Sequence, residues 1–123
     1  MENQARMIKS SDGNKLAIVN PNAAGIDIAD AEMQVCVPED RDGDNNRRFG
    51  SFTKDLNTIV EWLIGCNITT VAMEATGIYY LSLFLKLQDA GIEVLLANPA
   101  DVKNMSGKKT DAADAEWLMV LHR

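Results

Sequence analysis

The chain has 123 residues, enough for one compact domain of about 100 folded residues and a tail. Its 46% apolar share is ordinary for a globular domain, and no apolar run approaches the about 20 residues a membrane-spanning helix needs, which excludes that class. The formal charge of −6 opposes a broad phosphate-binding surface, which is normally rich in lysine and arginine; cations held by some of the acidic side chains would offset it. Cys36 and Cys66 stand alone, without a CxxC pair, as suits a reducing cytoplasm.

Residues 1–22 show no sustained period, contain Ser10-Ser11-Asp12-Gly13-Asn14, and read as a flexible leader. The domain is expected to span residues 23–123. Ala24 to Ile28 forms a short apolar run interrupted by Asp27. Met33 to Val37 is a second strand, ended by Pro38. Glu39 to Asn46 holds turn formers and charges, and Arg47 to Thr53 reads as a third strand. These three strands suit an antiparallel meander.

The period then changes. Lys54 to Gly65 puts Leu56, Ile59, Val60, Leu63 and Ile64 on one helical face, with Gly65 as the stop. Thr69 to Met73 has a buried-strand pattern that runs out at Glu74, and Thr76-Gly77 opens the next helix. Ile78 to Ala90 is an apolar helix closed by Gly91, Ile92 to Ala97 a fifth strand broken by Asn98-Pro99, and Thr110 onward a last helix. Alternating strands and helices imply parallel crossovers, so the expectation is an α/β fold with a mixed five-stranded sheet and flanking helices. The chain stops at Leu121-His122-Arg123, inside the last helical pattern, and is expected to be a fragment of a longer one.

Four carboxylates stand out. Asp27 lies inside an apolar strand, where a charge is costly unless it is paired, metal-bound or turned to solvent at an edge. Glu74 lies where a strand ends and a helix begins, the place where open crossover sheets bind ligands and where a helix N-terminus attracts anions; a plain loop glutamate fits too. Asp111 and Asp114 lie three apart at a helix start, which alone reads as an N-cap and its N3 partner. Together they are different, because the strand order brings these element ends side by side. Carboxylate oxygens suit Mg²⁺ or Mn²⁺, and two such ions about 3.5–4 Å apart hold both oxygens of a phosphodiester exchange.

Gly25-Ile26-Asp27-Ile28, Met73-Glu74-Ala75-Thr76-Gly77-Ile78-Tyr79, Asn98-Pro99 and Gly107 to Trp117 closely resemble the DEDD transposases of the insertion sequence 110 and 1111 family. The resemblance covers Ala24 to Arg123. It implies a ribonuclease H-like, RuvC-like fold with Asp27, Glu74, Asp111 and Asp114 as catalytic and metal-binding tetrad. It also implies Mg²⁺ or Mn²⁺ as cofactor, DNA as substrate, a structured guide RNA, self-assembly into a homo-oligomer, and a further domain with a nucleophilic serine. The family often carries Ser-Lys where this chain has Ala29-Asp30, and a lysine where it has Ala113, so two positive charges are missing here.

Lys103, Lys108 and Lys109 approach Asp111 beside Ser106-Gly107 and suit either a nucleic-acid backbone or a solvated loop. Thr76 and Tyr79 follow Glu74 and are candidates for the mouth of the site. Phe84 is expected in the core, Trp117 and Leu121 in the core or at a partner face, and Arg47-Arg48 at a protected edge. The rival functions are a RuvC-like structure-specific nuclease, which needs only the carboxylates and water, a sugar-kinase or actin-like ATPase, and a non-catalytic module. Ile28 to Glu32 lacks the Gly- and Thr-rich phosphate hairpin that the ATPase requires.

Overall fold

The computed structural model describes residues 20–75, 80–97 and 111–122. In chain order they form β1 (Ala23–Ala29), β2 (Glu32–Cys36), β3 (Asn46–Phe49), α1 (Thr53–Gly65), β4 (Thr70–Ala75), α2 (Tyr80–Asp89), β5 (Glu93–Leu96) and α3 (Asp111–His122). The strands make one sheet in the order β3-β2-β1-β4-β5. β1–β2 and β2–β3 are antiparallel, while β1–β4 and β4–β5 are parallel. The mixed sheet expected from the pattern is therefore the one observed. Among the described residues no helix is long and apolar enough to cross a membrane.

Alternation along the strands sorts side chains onto two faces. Ile26, Ile28, Met33, Val35, Val71 and Met73 join Leu56, Ile59 and Leu63 of α1 and Leu83 and Leu87 of α2 in the main core. The other face is covered by α3: Cys36 packs with Ala115 and Met119, and Ala72 with Leu118. Gly25 makes that approach possible. A Cβ there would lie 2.5 Å from the Met119 nitrogen and 2.8 Å from the Leu118 Cβ, and closer still to the Ala115 carbonyl.

Several local expectations shift. The third strand ends at Phe49, and Thr53 already belongs to α1, because the Asp55 carboxylate accepts the Phe52 N–H at 3.1 Å and caps the helix. Gly65 is the last residue of α1, but the chain reverses at Asn67, whose φ of 61° lets Ile68 N–H donate to the Leu63 carbonyl. Gly91, at φ 84°, closes α2 in the same way with Ile92 N–H on the Leu87 carbonyl. On α1 the buried line runs through Leu56, Ile59 and Leu63, so Val60 is half-buried and Ile64 exposed. Phe84 is half-buried rather than core, set edge-on to Tyr80, because Leu83 and Leu87 take the inward stripe of α2.

The fold also takes in Asn20, Pro21 and Asn22, which the sequence pattern leaves with the leader. Asn20 donates to the His122 carbonyl, and Arg41 donates to the Pro21 carbonyl and the Asn22 side chain. The rest of the leader, 1–19, lies outside the described residues.

Candidate functional site

Asp27 on β1 and Glu74 on β4 are direct partners in the parallel ladder. By alternation both belong to the face that α3 covers, and each is only 5% exposed. β4 runs on through Glu74 to Ala75, one step further than the apolar pattern suggests, so Glu74 is held by the sheet and not by a loop. Adjacent strands lie about 4.8 Å apart. Two unit negative charges about 5 Å apart repel by about 3 kcal/mol at an effective dielectric of 20. The donor chemistry of the pair fits a divalent cation, which converts that repulsion into attraction.

The row extends sideways. Gln34 pairs with Asp27 across the β1–β2 ladder, and Arg48 pairs with Gln34 across β2–β3. Gln34 is buried, its amide bonded to Arg48 and Asn46. The sequence reading passed over Gln34 and Asn46 and gave Arg48 only an edge-protecting role, although one polar residue among Met33, Val35 and Cys36 was a signal.

α3 crosses this face from β3 over β1 to β4. Its start is tied to β3, where Asn46 donates to the Ala112 carbonyl at 2.9 Å. Its middle lies on Gly25. Its end reaches the first residue of β4, where His122 Nε2 and Thr70 Oγ1 are 2.7 Å apart. The first turn is thus held on the β3 side of the sheet, where Asn46 stands in one row with Cys36 and Gly25. Asp114 is half-buried on that turn and engaged in an interaction of its own. Asp111 opens the helix, and its side chain lies outside the described residues, as do Thr76, Tyr79, Lys103, Lys108 and Lys109. Among the described residues, no three His, Cys, Asp or Glu side chains are grouped closely enough to hold one ion. Of the four carboxylates, the structure pairs Asp27 with Glu74, while Asp111 and Asp114 lie on the first turn of α3.

A cavity of about 190 Å³ lies beside β4, lined by Met73, Tyr80, Leu96 and Ala97. Met73 belongs to the main core, while Ala97 packs against Ala72 and Leu118 on the α3 face. The thiols are poor nucleophiles by placement: Cys36 is buried beneath α3, and burial pushes the Cys66 thiol up, with the Asp42 charge adding to the shift.

Comparison with known proteins agrees with this geometry. The structure is similar to T. thermophilus RuvC in complex with a Holliday junction substrate, with a TM-score of 0.58 and 14% identity over 81% of this chain and 90% of that one. At that identity the likeness concerns the fold, which is ribonuclease H-like. No curated protein matches the sequence. The transposase model of the DEDD, insertion sequence 110 type matches residues 24–123, nearly the whole described fold. The chain belongs to the DEDD transposase family.

Proposed function

We propose that this domain is the metal-dependent catalytic part of a recombinase that cuts and rejoins DNA during transposition of an insertion sequence. The observation that carries the reading is the lateral pairing of Asp27 and Glu74 at the carboxyl ends of two parallel strands, in a chain of a transposase family. Asp111 and Asp114 complete the ligand set from the first turn of α3. Mg²⁺ or Mn²⁺ bound there supplies Lewis-acid polarisation of a phosphodiester.

The remaining work belongs to the protein. Asp27 and Glu74, fixed by the sheet, set the position of the cleft floor. α3, seated on Gly25, covers the same face and limits access of water from beneath. Lys103, Lys108, Lys109, Thr76 and Tyr79 contact the nucleic-acid backbone around the cleft. A structured RNA chooses the target, identical chains assemble on it, and the complex works in the cytoplasm. The rejoining step draws on a serine supplied from outside these residues.

The test is cleavage and strand exchange on branched DNA with Mn²⁺ or Mg²⁺, carried out with this domain joined to the serine-bearing one and comparing the parent with Asp27→Asn and Glu74→Gln. Joined products that vanish in both variants support the reading. Cleaved ends without joined products point instead to a structure-specific nuclease, the kind of substrate engagement suggested by RuvC on its junction. Cleavage that survives both substitutions removes the assignment.

A further inference from the structure

Three polar side chains beside the carboxylates form a hydrogen-bond chain with one possible direction. Arg48 Nε donates to Gln34 Oε1 at 3.3 Å. Gln34 Nε2 donates to Asn46 Oδ1 at 2.9 Å. Asn46 Nδ2 donates to the Ala112 carbonyl at 2.9 Å. Arginine carries only donors and a carbonyl only accepts, so the two ends fix the sense of both amides. Turning either amide round would set donor against donor and acceptor against acceptor. Arg48 is itself held by Glu32, 3.3 Å away, which steadies the donor end.

The two ends of this chain have different neighbours. Gln34 is 6% exposed and lies directly opposite Asp27 in the β1–β2 ladder. Ala112 lies between Asp111 and Asp114 on the first turn of α3. Close packing on Gly25 fixes the helix at Ala115, Leu118 and Met119, one turn further on. The first turn projects beyond that contact, and the Asn46 bond ties it back to the sheet.

We propose that Asn46 and Gln34 are positioning residues, which set the first turn of α3 against the Asp27 strand and so tune divalent-cation affinity. The inference rests on the metal-site reading given above. Partners that orient metal ligands commonly change affinity by about 10–100-fold when removed, because a ligand displaced by a fraction of an ångström no longer closes the coordination shell.

Mn²⁺ titration of the 123-residue chain, followed by the paramagnetic resonance of the free ion, tests this. Asn46→Ala is expected to weaken Mn²⁺ binding by about 10-fold or more. Asn45→Ala is the control: it removes a 2.8 Å bond to the Val37 carbonyl that stays inside the β2–β3 connection, and it should keep the parent affinity. Gln34→Leu should weaken binding as well, and the Gln34→Leu/Asn46→Ala pair should be no weaker than the worse single change, because both act through one chain. Parent affinity in Asn46→Ala, or equal loss in Asn45→Ala, overturns the positioning role while leaving the metal site intact. A parent that takes up no Mn²⁺, or an Asp27→Asn chain that binds it as tightly as the parent, overturns the metal site and the inference with it.

Discussion

Asp27 and Glu74 face each other across the β1–β4 ladder, two carboxylates on the same face of the two central parallel strands. A sheet built only for stability would place apolar or small residues there, as it does one step earlier, where Gly25 pairs with Ala72. On the proposed metal-site reading, the like-charge pair is a local sacrifice of stability of the kind found at functional sites.

Gly25→Ala should destabilise the fold and unseat α3. The added methyl meets the backbone at Ala115 and Met119, which cannot swing aside as a side-chain tip would. Overpacking of this sort costs about 1–3 kcal/mol. Urea denaturation should show the loss. Gly65→Ala, at the end of α1 with open space around its Cβ and no positive φ, should instead stabilise by about 0.5–1 kcal/mol.

Asp42 gives the connection between β2 and β3 an acid-sensitive tie to α1. The Trp62 indole N–H donates to its carboxylate at 3.0 Å, the Asp44 backbone N–H donates to it at 2.9 Å, and Arg47 sits 2.7 Å away while lying over the Trp62 ring. The Trp62 bond first, then the Asp44 N–H and Arg47, hold its pKa below the ordinary 3.8, against an opposing effect of desolvation. A carboxylate with a lowered pKa contributes stability above its unfolded value and loses it as pH falls through the folded one. The tie should therefore persist at pH 5 and weaken only below about pH 3.8, read from the Trp62 indole N–H resonance. Asp42→Asn should remove that low-pH transition. An indole signal that moves between pH 5 and 7 would contradict this.

Thr70 anchors the far end of α3. Its hydroxyl donates to Glu93 at 3.1 Å and lies 2.7 Å from His122 Nε2, a second hydrogen bond at the same oxygen. Thr70→Val keeps the shape and removes both bonds, which should cost about 1–3 kcal/mol because polar groups in a buried setting lose a partner. Hydrogen exchange should quicken in the last turn of α3, while Mn²⁺ affinity stays at the parent value.

The sheet order was legible because period and punctuation agree: short β-rich runs, then alternating helices and strands, leave few ways to connect them. Asp27 was legible as a charge inside an apolar strand, and Glu74 as an acid at the end of one. Asn67 was not, since Gly65 two residues earlier offered a more ordinary stop and only the backbone shows which residue turns left-handed. Phe84 was misplaced because a helix of nearly continuous apolar residues gives a weak indication of which stripe faces in. The Arg48–Gln34–Asn46 chain was hidden for a different reason. It joins residues of two paired strands to a helix start 66 positions away from Asn46, and no local pattern encodes that meeting.

The most direct measurement is a thermal melt of the parent and Asp27→Asn, each with and without Mg²⁺ or Mn²⁺. If Asp27 is a ligand crowded against Glu74, the metal-free variant should be as stable as the parent or more so, because a buried like charge has gone. The parent should gain about 2.7 kcal/mol at a hundredfold excess of the ion over its Kd, and the variant should gain little or nothing. If Asp27 is scaffolding, the substitution should cost about 0.5–2 kcal/mol, as loss of a cap does. A less stable Asp27→Asn chain that still responds fully to the metal would contradict the central claim.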